Sequence, residues 1–261
     1  MLITHEDAIK LKPTGWDTFK RTHLMYMNGI NRDAAVAVLN YEAYKAFSDT
    51  ILMQKHTDLI EEQNKIDDFL KLGKMLGVDE FPWPNAQFNF DCFRNYEYLK
   101  IGCGFELSLK SQLLSAGYII HEIDRSLPKY DELAKKQKNS PIKIDELMSI
   151  SGYMFDGKYN IIPGITQKSV QFSSIVDKHA YRKAYLLDSR TLDIISDYKD
   201  LRNSIHLPGD AVATITLKNM SLIEEIKFIR NYIHEQIITK NRLIVKSHNL
   251  GNVLNIDEWD S

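Results

Sequence analysis

From Asn31 to Leu72 the chain runs without one glycine or proline. That narrows the folds open to it more than any other feature, because these two residues are the usual punctuation of helices and turns. Within the stretch Val36, Leu39, Ala43, Phe47 and Ile51 recur at a helical period. Leu59, Ile60, Ile66, Phe69, Leu70, Leu72 and Met75 continue it up to Gly77. The pattern predicts either one very long helix or two, broken near Lys55–Thr57, with Asn31 or Asp33 as the cap. A helix of that length packs into a bundle or against its counterpart in another subunit. Ahead of it, Lys12-Pro13-Thr14-Gly15 reads as a turn, and Trp16, Phe19, Leu24, Met25 and Tyr26 read as an arm packing onto the body.

The remainder is helical too. Phe81-Pro82-Trp83-Pro84 reads as a packed loop within 78–90, and a helix is expected from Asp91 to Ala116, with Tyr96, Leu99, Cys103, Leu107, Leu109, Leu113 and Leu114 inward. Gly102 and Gly104 lie inside that helix at some cost in propensity, which a close helix crossing or a kink would explain. The charged run Asp131–Lys138 reads as a solvated helix. Gly152, Gly157, Pro163 and Gly164, interleaved with Tyr153, Phe155 and Tyr159, predict a small hairpin or ordered loop near 151–166. Helices are then expected from Lys168 to Leu187 with a break after Ser174, and from Ser189 or Thr191 to the stop at Pro208-Gly209. A last one runs from a cap at Asn219 or Ser221 to about Ile238. The fold expected is all-α, a helical bundle with one long N-terminal helix or helical hairpin and a small insertion. Residues 1–77 form an arm and long helix, 78–240 the bundle and 241–261 a tail, together one compact unit.

Hydrophobic residues make up 44% of the chain and charged ones 26%, ordinary for a globular protein, while a net charge of −2 offers no overall attraction to nucleic acid. Any such contact must come from a local patch. No uncharged apolar run approaches the length of a membrane span, and the N-terminus has no basic segment before an apolar one, so a cytoplasmic protein is expected. Cys92 and Cys103 lie about three turns apart if one helix holds both, too far for a disulfide, and two cysteines do not make a zinc site. There is no His-Glu-x-x-His, Glu-x-x-His, phosphate-binding glycine loop or EF-hand loop. No metal or cofactor is expected.

The stretch that carries chemistry is Tyr198-Lys199-Asp200-Leu201-Arg202-Asn203-Ser204-Ile205-His206-Leu207-Pro208-Gly209. Arg202 and His206, four residues apart, project from one side of a helix near its end. A permanent cation beside a group that titrates near neutrality suits phosphodiester chemistry: the guanidinium can fork onto two phosphate oxygens while the imidazole moves a proton. Basic residues near a helix C-terminus are also favoured on electrostatic grounds alone.

Leu201-Arg202-Asn203-Ser204-Ile205-His206, late in a helical chain and followed by one more amphipathic helix, resembles the HEPN superfamily. That group is α-helical and rich in RNases of toxin–antitoxin, phage-defence and CRISPR systems. Its motif is Arg, usually followed by Asn, Asp or His, and then His after four to six intervening residues; His206 follows after three. The resemblance extends loosely over residues 90–240. It implies a metal-independent endoribonuclease in which Arg202, His206 and Asn203 are catalytic. It also implies a homodimer that brings two Arg–His helices to one cleft, RNA as substrate, and an antitoxin or other protein partner. The segment Phe105-Glu106-Leu107-Ser108-Leu109-Lys110 resembles an early core helix of such proteins, where an acidic residue faces the Arg–His helix. Glu106 is then the supporting residue for Arg202; the alternative is a surface pair of Glu106 with Lys110.

Lys135, Lys136 and Lys138 form the densest basic cluster and are candidates for phosphate binding, although charge runs are usually solvated faces. Arg230-Asn231-Tyr232-Ile233-His234 echoes the first motif as a second candidate pair, Arg230 with His234. It lies mid-helix and is followed by Glu235, which would repel phosphate. His121 beside Glu122 is either catalytic or a loop or core histidine. A non-catalytic helical binding module of the same superfamily is the alternative function.

Overall fold

Two helices in close crossing organise the molecule. In the computed structural model, helix α1 (Ile30–Ser48) lies along α2 (Pro84–Ser115), the longest helix among the described residues. The structure describes residues 25–26, 30–50, 53, 84–152, 154–155, 160–204 and 220–248. α1 buries Val36, Ala37, Ala43 and Phe47, the predicted helical stripe. It begins earlier than expected, at Ile30, so Asp33 lies in its first turn rather than capping it. The expected continuation toward Gly77 lies outside the described residues.

α2 also starts before its expected point. Pro84 opens it, and a proline fits a first helical position because its missing N–H is one that would have no partner anyway. The inward stripe is Tyr98, Ile101, Phe105, Leu109 and Leu113, with Leu114 alongside, while Leu99, Cys103 and Leu107 are half-buried. Gly102 and Gly104 mark close crossings on two sides. A Cβ added at Gly104 would lie 2.8 Å from the Phe47 ring on α1, and one at Gly102 would lie 3.1 Å from the Arg202 side chain.

Next comes a strand, β1 (His121–Ile123), a 3₁₀ turn (Pro128–Tyr130), and helices α3 (Asp131–Gln137) and α4 (Ile144–Ser151). β2 (Met154–Phe155) and β3 (Asn160–Ile161) make the small hairpin expected near 151–166, pairing Met154 with Ile161 and Phe155 with Asn160. β4 (Ile165–Ser169) pairs antiparallel with β1 in a second two-stranded sheet. Where helix was expected from Lys168 with a break after Ser174, two short helices follow the strand instead, α5 (Phe172–Asp177) and α6 (His179–Arg182). They are separated at Lys178, whose backbone is extended at φ −81° and ψ 126°.

α7 (Ser189–Ser204) buries Leu192, Ile195, Tyr198 and Leu201. Asp188 caps it, its carboxylate accepting from Thr191 N and Thr191 Oγ1, both at 2.8 Å. α8 (Leu222–Tyr232) starts from Ser221 in a capping box with Glu224. It passes into a π-helical turn (Ile233–Ile238) and then α9 (Thr239–His248), ten residues beyond the expected end. α9 returns to α1, where Asn40 Nδ2 donates to Asn241 Oδ1 at 3.4 Å.

Phe105 is the hub of the aromatic core. Its ring centroid is 4.9 Å from Phe47, 4.9 Å from Tyr232 and 5.0 Å from Tyr198, which joins α1, α2, α7 and α8. The wholly buried Glu225 accepts from Tyr198 Oη at 2.7 Å and Tyr98 Oη at 3.3 Å, so this first-turn residue is not at the surface. The result is an all-α fold with a small β insertion. Among the described residues no helix is long and apolar enough to cross a membrane.

Candidate functional site

Tyr198 and Leu201 turn into the core, which fixes the direction of the next residue on α7. Arg202 therefore lies across α2 at Gly102, where the absence of a Cβ lets its stem pass close to the helix backbone. One turn further along α2 is Glu106, and Arg202 Nη1 donates to Glu106 Oε2. Lys110, one more turn on, donates from Nζ to the other carboxylate oxygen, Oε1, and to Ser169 Oγ at 2.9 Å. Both pairings considered for Glu106 are thus present together.

The cluster is only partly solvated. Side-chain exposure is 8% for Lys110, 15% for Glu106 and 26% for Arg202. The Phe172 ring at the start of α5 covers the guanidinium from 5.7 Å. Two cations share one carboxylate, so the cluster carries an excess positive charge. Of the five N–H donors of Arg202, one of the two on Nη1 is engaged with Glu106, and the rest meet no acceptor among the described residues.

Lys199 holds α5 against α7. Its ammonium, buried, donates to both oxygens of Asp177 at 2.8 and 2.7 Å and pairs with Asp200 at 3.0 Å. Burial lowers its pKa, but the hydrogen bonds to Asp177 and Asp200 outweigh that and hold it above the ordinary lysine value. Ser196 Oγ also donates to Asp177, at 3.0 Å. This tie keeps Phe172 in place over Arg202.

The other candidates fall elsewhere. Asn203 is exposed on the last turn of α7, about 100° around from Arg202. His206, with Pro208 and Gly209, lies outside the described residues. Lys135 pairs with Asp131 at 2.7 Å and Glu132 at 3.6 Å, and the Asp131 hydrogen bond raises its pKa. Lys136 pairs with Glu146 at 2.6 Å. Arg230 and His234 are exposed, one at the end of α8 and the other in the π-helical turn. No hydrogen bond or ion pair among the described residues joins any of these to Arg202 or Glu106.

His121 is half-buried in β1. Tyr26 Oη accepts from Ile120 N at 3.2 Å and hydrogen-bonds His121 Nδ1. Burial holds the Tyr26 phenol well above its usual pKa and hence neutral. This histidine is built into the contact between Tyr26 and the β1–β4 sheet. Among the described residues no group of three His, Cys, Asp or Glu side chains is arranged to hold a metal ion.

Ser169 and Phe172 complete the surroundings of Arg202 and were not foreseen. They come from the strand-to-helix junction of β4 and α5, where periodicity predicted a helix already begun at Lys168. No protein-family model matches the chain, and neither a curated protein nor a solved structure resembles it at a significant level.

Proposed function

We propose that the protein is a metal-independent endoribonuclease of HEPN type, acting in the cytoplasm in toxin–antitoxin or phage-defence chemistry. The observation that carries the proposal is the partly exposed Arg202 guanidinium, fixed by Glu106 while most of its donors stay open. A guanidinium held in this way is pre-oriented for a phosphate, and excess positive charge matches the charge that builds on phosphorus-bound oxygens. His206 takes the proton from a ribose 2′-hydroxyl. The 2′-oxygen attacks the adjacent phosphorus, and the P–O5′ bond breaks as the His206 imidazolium returns its proton to the 5′-oxygen, giving a 2′,3′-cyclic phosphate and a 5′-hydroxyl end. Asn203 orients substrate from the exposed side of the same turn.

RNA cleavage by the wild type against Arg202→Ala and His206→Ala, without added metal, tests this. Each change should lower the rate by about 10²-fold or more, in the range of lost acid–base or oxyanion contacts. Activity that survives both changes overturns the assignment. A homodimer is part of the proposal, checked by the solution mass of the full chain.

A second reading has its own support. Glu106, Lys110 and Arg202 tie α2 to α7, which is useful to a non-catalytic binding module of the same superfamily. In that case Arg202→Ala lowers stability and leaves no activity to lose.

A further inference from the structure

On the far side of the β4–α5 junction from Arg202 lies a cleft of about 460 Å³, which has no part in the Arg202 cluster. While Phe172 turns inward under Arg202, its neighbours Gln171 and Ser173 face this cleft. Its rim carries Arg125, Lys138 and Lys178, each solvent-exposed and with no ion pair among the described residues. Lys135 and Lys136, on the same helix as Lys138, are neutralised by acidic neighbours. Glu122 is the one carboxylate lining the cleft, so three cations against one anion leave a local charge of +2, in a chain whose net charge is −2.

The three cations arrive from separate elements, and each backbone position is held. Arg125 is in the turn after β1, where Asp124 N bonds Gly164 O at 2.8 Å and Ser126 N bonds Asp124 Oδ1 at 2.8 Å. Lys138 closes α3, its N–H bonded to Lys135 O. Lys178 is the extended link between α5 and α6. The floor is fixed too, because Gln137 accepts from Ile123 N at 2.9 Å and donates to His121 O at 2.8 Å, over the buried Val170. Cations without counter-charges, converging on a preformed concavity of small-molecule size, make an anion site. A track for a nucleic-acid strand would instead spread them along a groove.

We propose that this cleft binds a small phosphorylated ligand carrying at least two negative charges, gripped by Arg125, Lys138 and Lys178. The site is independent of the nuclease chemistry assigned to Arg202.

Calorimetric titration of the full chain with inorganic pyrophosphate, with ATP and with a single-stranded oligoribonucleotide tests it. Pyrophosphate or ATP should bind saturably at one site per chain. Arg125→Ala and Lys178→Ala should each weaken binding about tenfold, the loss of one charge-assisted contact. Lys135→Ala and Arg202→Ala should leave it unchanged, which separates this site from the nuclease proposal. Since the rim cations are exposed and outside the core, their variants should melt with the wild type. No saturable binding of pyrophosphate or ATP below about 1 mM would overturn the proposal. So would binding that is unchanged in the Arg125→Ala/Lys178→Ala double variant, or an oligoribonucleotide that binds through these cations when pyrophosphate and ATP do not.

Discussion

Glu106 sits between two cations, and each of its oxygens has its own donor. Glu106→Gln would leave two partly buried positive charges facing each other without a carboxylate. That should destabilise the fold by about 2 kcal/mol, less than a fully buried pair because Arg202 keeps some water. A lower urea midpoint at unchanged slope is the expected observation. RNA cleavage should fall as well, since the guanidinium loses its anchor. The pairing of Glu106 with Arg202 was legible only through the short-motif resemblance, because no local rule links residues 96 positions apart. The i,i+4 spacing to Lys110 was visible directly. That one carboxylate serves both cations comes from the crossing of α2 and α7, which a single sequence does not encode in any spacing.

Helix α2 carries two glycines that look alike in sequence and differ in the neighbours they face. At Gly104 an alanine would meet the buried Phe47 ring at 2.8 Å. The overpacking, about 1–3 kcal/mol, should exceed the gain of up to about 1 kcal/mol in helix propensity, so Gly104→Ala lowers the melting temperature. At Gly102 the neighbour is the flexible stem of Arg202 at 3.1 Å. Gly102→Ala should therefore change stability by less than about 1 kcal/mol while displacing the guanidinium, so cleavage falls and the fold stays. The sequence left a close crossing or a kink open for both positions, and gave no sign of which helix lay there.

The cap of α7 makes a pH-dependent prediction. Hydrogen bonds from Thr191 hold the Asp188 carboxyl below its usual pKa. A carboxylate with a depressed folded pKa contributes stability above the unfolded value, near 4, and loses it as pH falls through the lower folded value. Asp188→Ala should cost about 1 kcal/mol at neutral pH, and its gap from the wild type in melting temperature should narrow below about pH 4. The break between α5 and α6 was expected after Ser174 and falls at Lys178, because Phe172, Ile175, Val176 and Tyr181 keep a helix-like spacing across the extended residue.

Across the whole molecule, Glu225 joins α2, α7 and α8 through the hydroxyls of Tyr98 and Tyr198. Removing the shorter contact with Tyr198→Phe should destabilise the fold by about 1–3 kcal/mol, more than Tyr98→Phe, in parallel urea titrations. An acidic residue such as Glu225 in a first helical turn already suits the helix dipole at the surface. Its burial is a tertiary effect of two tyrosines from distant helices.

The last helix holds a consequence of another kind. Between Ile233 and Ile238 the coil widens, and both the backbone N–H and the hydroxyl of Thr239 reach back to the His234 carbonyl, the hydroxyl at 2.8 Å. A widened coil of this sort absorbs a surplus residue without rotating the helix beyond it. Deleting the exposed Glu235 should let the spiral close to ordinary pitch, with Asn241 still facing Asn40. The same excision in the regular spiral of α7, at Asp197, would swing every later side chain by about 100° and scatter the core. Here the protein can shed a link and keep its shape.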